Sequence, residues 1–470
     1  MRCAALLLFI SSAYAADRFP VDWPKVDREL LEYYSALVRI DTSNPPGNET
    51  KAVNYIRPIL DREGIPYQVF AMQENRANIV ARLKGSGLKR PVIVMGHMDV
   101  VGVQREKWSV DPFAAIRKDG YIYGRGTQDD KDNLTTGIML MLTLKRLNVP
   151  LDRDVIFIAE SGEEGTSSVG IEYLVREHWD AIGGDLKGAE FALAEGGGGE
   201  SRTGKVRYVN ITTTEKVPRS TRLIAHGTAG HGSVPRLDNP VIHLADAVAK
   251  VGAWQPPMRL NDTTRAYFER LATISSPEDA DRYNHVSDPK RSAAIQKYFS
   301  EHELTHYSML RTSVVPTIIK AGFRSNVIPS EAEATIDVRA LPDEDMNKLY
   351  AELRRVINDP AVEVVGGDPG TQRPAGSPSR LDSEMFHTLE NVTKELYPGA
   401  VTLPSMLTGA TDMAQLRAKG VQAYGIGPIV DEKDRNIGGA HSDDERLEEA
   451  ALYRFMEFLW NTVTEIAAKK

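Results

Sequence analysis

Two short apolar runs, PVIVM at residues 91–95 and VIFIA at residues 155–159, have the length and β-branched content of strands buried on both faces. Between them, residues 133–147 repeat apolar side chains at helical spacing and stop ahead of Pro150, as a helix packed on such a sheet does. FALA at residues 191–194 reads as a further short strand. From about residue 26 to 195, strands thus alternate with helices, which predicts an α/β domain with a mostly parallel sheet covered by helices. Near residue 204 the texture changes. Residues 206–213 and 221–226 read as strands, 240–251 as a helix, 314–339 as two more strands and 343–357 as a second helix. That order suits a small α+β domain with helices on one face of an antiparallel sheet. A polar, helix-prone stretch at residues 260–308 interrupts this second unit and reads as an insertion to which the sequence assigns no role. The run GGDPGTQRPAGSPSR at residues 366–380 is a linker by composition, and strand and helix signals resume after it at residues 422–426 and 448–467. The predicted topology is one domain in two pieces, residues 26–204 and 381–470, interrupted by a second at residues 205–368.

Composition narrows the classes. A chain of 470 residues, 41% hydrophobic and 26% charged, is a globular protein of about two domains. Its net charge of −8, with no long Lys/Arg block, argues against a nucleic-acid partner. At the amino terminus, Arg2, the apolar residues 4–10 and Ala13-Tyr14-Ala15 fit a signal peptide over residues 1–15, which predicts a secreted or periplasmic protein. A buried first helix is the other reading of that run, which is too short to span a bilayer; no other segment approaches spanning length. The single cysteine, Cys3, falls inside the predicted signal, so a metal in the mature chain must be held by His, Asp and Glu.

The chemistry-bearing residues cluster at predicted strand ends. His97 and Asp99 follow the strand PVIVM, two apart, so both side chains can face one pocket at the carboxyl edge of the sheet. Alone, such a pair is as often a structural histidine. The polar, glycine-rich GRGTQDDKD at residues 124–132 precedes the buried helix; Asp129 or Asp130 could be an N-cap, or could be carried by the tight backbone to something it must touch. Glu160, Glu163 and Glu164 follow VIFIA, and Glu195 follows FALA. Carboxylates at several strand ends on one sheet edge repel one another unless a cation neutralises them or their pKa values rise. Carboxylate oxygens with histidine nitrogens suit zinc, or less commonly cobalt or manganese, and two ions satisfy so many acids better than one. His441 lies in a polar glycine loop, GGAHSDDE at residues 438–445, at another element boundary.

These motifs in order, GHMDV, YGRGTQDDK, SGEEG, LAEGG, AGHGSVP, SNVIP followed by DVR, GATD and AHSDDE, resemble the dinuclear zinc hydrolases that include aminoacylases, glutamate carboxypeptidases, acetylornithine deacetylases and succinyl-diaminopimelate desuccinylases. The similarity spans most of the chain after the signal. It implies a catalytic domain interrupted by a lid and dimerisation domain, two Zn2+ per chain (Co2+ or Mn2+ being possible) and hydrolysis of a peptide or N-acyl-amino-acid bond. Asp129 then bridges both ions, His97 and Glu195 complete one site, and Glu164 and His441 the other. Glu163 matches the general base, and Asp99 the carboxylate that orients His97. His231 matches a lid histidine that stabilises the oxyanion, in relatives often from across a dimer. Asn326 and Arg339 match residues that grip the substrate's carboxylate, a strand residue in a surface ion pair being the other reading of Arg339. Thr411 and Asp412 match a pocket-lining segment, an N-cap reading of Thr411 being as natural. The implied partners are a small peptide or N-acyl amino acid and a second copy of the chain. Asp132 departs from the pattern, standing where a glycine is usual, and Ser161-Gly162 replaces a commonly bulkier pair. A noncatalytic ligand-binding relative is the alternative; its signature would be loss of the base or a ligand, and every one of those residues is present.

Overall fold

The computed structural model describes residues 18–183, 188–367, 372–434 and 437–470; the predicted signal peptide lies outside them. The first unit contains α1 (Trp23–Val38), α2 (Thr50–Glu63), β1 (Tyr67–Ala71), β2 (Ala77–Leu83), β3 (Val92–His97), α3 (Lys131–Arg146), β4 (Val155–Glu160), β5 (Phe191–Ala194), β6 (Gly198–Arg202) and β7 (Lys205–Glu215). The second opens with β8 (Val217–His226) and α4 (Pro240–Ala253). The insertion follows as α5 (Asp262–Ala272), α6 (Pro277–Asn284), α7 (Ser292–His302) and α8 (Leu304–Met309). The second unit then closes with β9 (Ser313–Ala321), β10 (Glu331–Ala340), α9 (Met346–Ile357) and β11 (Val362–Gly366). The chain returns through α10 (Glu384–Leu396), β12 (Val401–Leu407), α11 (Met413–Ala418), β13 (Gln422–Gly425), β14 (Ile429–Asp431) and α12 (Glu449–Ala467).

The first unit is built on a 10-stranded sheet of order β1-β2-β4-β3-β5-β13-β7-β6-β14, with β12 paired to β7. Its centre is parallel, β3 lying between β4 and β5 and β13 continuing beyond β5, and antiparallel strands flank it. The two-residue period of a strand sends Val92 and Val94 into the core under α1, α3 and α12. Ile93 and Met95 go to the opposite face, under α11 and a short helix at Ile171–Glu177. Both faces being covered explains why these strands read as unbroken apolar runs. The central α3 is buried around nearly its whole circumference, and Gly96 permits its approach: a Cβ there would lie 2.7 Å from the backbone nitrogen of Leu134.

The second unit is a four-stranded antiparallel sheet of order β9-β10-β8-β11, with α4 and α9 packed on one face through Leu244, Val251, Leu349 and Leu353. Two boundaries differ from the sequence reading. The change of domain, expected at residue 205, falls at Lys216: β7 pairs with β12 from Tyr208 opposite Val401 to Glu215 opposite Leu407 and so belongs to the large sheet, while Val217 onward pairs with β10. No turn separates β7 from β8, so composition carries no mark of the crossing. The insertion, interrupting the second unit in sequence, packs on the first: Phe268, Leu271, Tyr283 and Phe299 share a core with Leu403 of β12. Arg270 reinforces this, donating to Glu390 of α10 at 2.7 Å and to the carbonyl of Thr402 at 2.9 Å. Among the described residues no helix is long and apolar enough to cross a membrane.

Candidate active site

Because β3, β4 and β5 run parallel, their carboxyl ends open at one edge. His97 ends β3 directly opposite Glu160 at the end of β4, and Glu195 follows β5. This edge floors a cavity of about 740 Å³ whose walls include Gln128, Asp129, Asp132, Glu163, Glu164, Glu195 and His441 from the first unit and Arg339 from the second.

Asp129 stands at its centre. One carboxylate oxygen lies 2.9 Å from His97 Nε2 and the other 3.1 Å from His441 Nε2, which is also 2.8 Å from Glu164. Glu195 approaches His97 Nε2 at 3.9 Å. Ligand atoms of His97, Asp129 and Glu164 lie within 4.8 Å of one another, as do those of His97, Glu163 and Glu195. All five sequence-predicted ligands and the predicted base therefore converge.

Asp99, fully buried, does more than its sequence pattern suggested. His97 Nδ1 is 2.9 Å from the main-chain oxygen of Asp99 and 3.6 Å from its carboxylate. That carboxylate accepts the backbone N–H groups of Gly162, Glu163 and Glu164 at 2.9 to 3.1 Å and the side-chain amide of Asn44 at 2.7 Å. One residue thereby orients the histidine and caps the turn carrying both glutamates. Gly162 supplies that turn's φ of +84°, where a Cβ would meet the carbonyl of Thr166 at 2.4 Å.

The loop of His441 is tied down by Glu445, which pairs with Arg125 at 2.6 Å and accepts the backbone N–H groups of Gly126 and Gln128 at 3.1 and 2.7 Å. This buried brace joins the His441 loop to the Asp129 loop.

The electrostatics are those of crowded, dehydrated acid. Burial foremost pushes Asp130 up to about 7, Glu163 to about 8 and Glu445 to about 7, and raises Asp132, Glu160, Glu195 and Asp412. Repulsion between neighbouring carboxylates adds to the rise, as Asp129 does at Asp130 and Glu163 at Glu195. Burial opposes the charge on His97, yet its bonds to Asp129 and Asp99 prevail and raise its pKa well above the usual value. The bond to Asp129, then that to Glu164, carries His441 to about 10. Asp129 is lowered in turn: burial opposes this, but both histidines outweigh it. Both oxygens of Asp132 are buried, with no side-chain hydrogen-bond partner among the described residues. So many acids at the strand ends, with histidine nitrogens between them, fit divalent cations.

Four further sequence-predicted residues divide between the cavity and the surface. Arg339 lines the cavity from β10, its Nε held by Asp337 at 2.9 Å. His231 and Asn326 are exposed neighbours on the second unit, away from the cavity walls; Gly232 N–H donates to the Asn326 carbonyl at 2.9 Å, and His231 Nδ1 contacts the Ser233 hydroxyl at 2.6 Å. Thr411 lines the cavity, with its N–H and hydroxyl on Glu215 at 2.9 and 2.7 Å, while its Oγ1 also accepts the N–H of Met413 at 3.3 Å. Sequence reasoning missed Arg373, which reaches from the linker into the cavity to contact Glu163 at 2.8 Å and Asp412 at 3.3 Å. Its only signal was a cation in an otherwise Gly/Pro/Ser-rich run.

An α/β sheet with histidines and carboxylates gathered at its strand ends beneath a second domain defines a metallopeptidase or amidohydrolase. The chain belongs to peptidase family M20/M25/M40, whose model matches residues 93–465. A probable succinyl-diaminopimelate desuccinylase of Staphylococcus aureus (strain N315) is 26% identical over 442 residues, covering 92% of this chain and 96% of that protein. Among solved structures, the M20 family metallo-carboxypeptidase Sso-CP2 from Sulfolobus solfataricus superposes with a TM-score of 0.69 at 18% identity, covering 93% of this chain and 98% of that one. The Bacillus subtilis YXEP protein, a dinuclear metal binding peptidase of the same family, gives 0.59 at 15% identity over 94% and 99% of the two chains.

Proposed function

We propose that this chain is an exported dinuclear zinc amidohydrolase that cleaves a peptide or N-acyl-amino-acid bond next to a free carboxylate. The observation that carries the reading is the division of Asp129 between two histidines, one oxygen toward His97 and one toward His441. His97, Asp129 and Glu195 would hold one ion and Asp129, Glu164 and His441 the other; when bound, the pair supplies the positive charge that acidifies water and stabilises an oxyanion. Glu163, buried beside these residues, takes the proton of the attacking water and delivers it to the leaving nitrogen. Asp99 keeps Glu163 in place through its backbone N–H, and Arg339 receives the substrate's carboxylate.

The reading includes a homodimer through the second unit. β9 is an open sheet edge on which Val315, Ile318 and Ile319 are exposed, as is Phe323 just beyond it, a surface suited to pairing with a second copy. The exposed position of His231 fits a role in trans, in which the partner subunit's His231 stabilises the oxyanion. The test is hydrolysis of dipeptides and N-acyl amino acids by chelated and zinc-reconstituted protein, with sedimentation for the oligomer. Zinc-dependent cleavage by a dimer is the expected result. No cleavage by fully metallated protein refutes the activity, and a monomer refutes the assembly.

A further inference from the structure

The insertion builds a second chamber beside the first. A cavity of about 630 Å³ lies between α5, α6 and α8 on one side and β7 and β12 on the other. Gly196 and Leu407 line both cavities, and Gly196 directly follows Glu195. The chamber therefore opens beside the reacting centre. Arg339, the residue assigned to the carboxylate of the leaving amino acid, lines only the first cavity, so the acyl half of a substrate has the second chamber available to it.

The walls state what chemistry fits. Glu303, between α7 and α8, is a lining carboxylate; among the described residues His302 and His306 line the chamber with it and no Lys or Arg does. Glu303 accepts from the Tyr283 hydroxyl at 3.1 Å and from His306 Nδ1 at 2.5 Å, and His306 Nε2 lies 3.0 Å from the Tyr267 hydroxyl. Glu303 is the one carboxylate lining the chamber among the described residues, its oxygens shared with the Tyr283 hydroxyl and His306. An acyl group that ends in a carboxylate meets Glu303 with only the imidazoles of His302 and His306, the latter already bonded to Glu303, to offset the repulsion. A long saturated chain must dehydrate Glu303, Thr305 and the Asn210 amide with nothing to replace the lost hydrogen bonds. An ammonium group finds a carboxylate and tyrosine rings together.

We propose that this chamber is the acyl-side subsite of the enzyme and takes an aminoacyl or dipeptidyl group with a free α-ammonium, recognised by Glu303 with Tyr267 and Tyr283. The assignment rests on the hydrolase reading above and adds to it the substrate class. The experiment compares kcat/KM of the zinc-loaded full chain for five substrates sharing one carboxy-terminal amino acid: a tripeptide, the same tripeptide N-acetylated, and the N-succinyl, N-dodecanoyl and N-acetyl amino acids. The free tripeptide is expected to exceed its N-acetylated form by at least about tenfold, the worth of one charged hydrogen bond. It should also exceed the N-succinyl and N-dodecanoyl substrates. Glu303→Gln should remove the tripeptide's advantage and leave the N-acetyl amino acid, too short to fill the chamber, at its wild-type rate. Preference for the succinyl or dodecanoyl substrate, or indifference to N-acetylation in the wild type, overturns the assignment without any variant. Equal loss on all substrates in Glu303→Gln also overturns it. If none of the five is cleaved, the hydrolase reading itself fails and the subsite falls with it.

Discussion

Glu445→Ala probes how the two ligand-bearing loops are held. The carboxylate is fully buried, paired at 2.6 Å with the nearly buried Arg125, and accepts the N–H groups of Gly126 and Gln128. Truncation strands a buried guanidinium and two backbone donors. Breaking a buried pair from one side costs about 3 to 5 kcal/mol, and each stranded donor falls in the range of about 1 to 3 kcal/mol within that loss. The expected destabilisation is therefore about 3 to 5 kcal/mol. The two N–H groups bond different oxygens of Glu445, so Glu445→Gln keeps an acceptor for only one of them and loses the charge; it should fall between wild type and alanine, nearer alanine. The assay is guanidinium chloride unfolding followed by tryptophan fluorescence; Trp108, whose ring lies 5.3 Å from the Arg125 guanidinium, reports on the brace itself. Zinc affinity measured on the same samples should weaken in step, because His441 and Asp129 ride on the joined loops. A loss under about 1 kcal/mol for alanine would show that Glu445 does not brace the two loops, since even one stranded donor should exceed it.

Other perturbations have equally definite signs. Arg373→Ala removes the guanidinium that holds the pKa of Glu163 down against burial, so the acidic limb of the kcat/KM profile should move to higher pH; an unmoved limb contradicts the contact's role. Lys216 lies buried at the crossing between the units, its amine bonded to Ser308 and Ser313 at 3.0 and 3.1 Å and pushed by burial from 10.5 down to about 7. A depressed lysine costs stability fully below pH about 7 and ceases to do so by about 10.5, so Lys216→Met should stabilise the protein at pH 6 and lose that advantage over wild type as pH rises above 7. In chelated protein the raised carboxyls of Asp130, Glu163 and Glu445 keep protons that the unfolded chain has released, and His441 keeps one until about pH 10. Melting temperature should then fall as pH rises from about 5 to 9, with zinc rescuing it most at the alkaline end; a rise across that range would contradict the shifts.

Local pattern carried much of this architecture. PVIVM and VIFIA are readable because both faces of the sheet are covered, and His97, Glu160 and Glu195 are found because parallel strands end together. Asp129 could be narrowed only to a helix-start acid from its residue type; its place between two histidines comes from the return of the chain about 300 residues later, as does the 2.8 Å contact from His441 back to Glu164, 277 residues apart. Long-range packing hid the rest. β7 passes into the second unit without a turn, and the insertion looks polar because much of its apolar surface meets β12 rather than the sheet it interrupts. Arg373, lost in a linker, acquires meaning only from the base it touches.

The most direct test of the account is Glu163→Gln compared with wild type after zinc reconstitution, measuring metal content and turnover of the best substrate on one preparation. The account predicts about two ions per chain in both proteins and a rate at least about a hundredfold lower in the variant. A variant that keeps its rate within about threefold, or a wild type that binds fewer than about two ions while fully active, contradicts it.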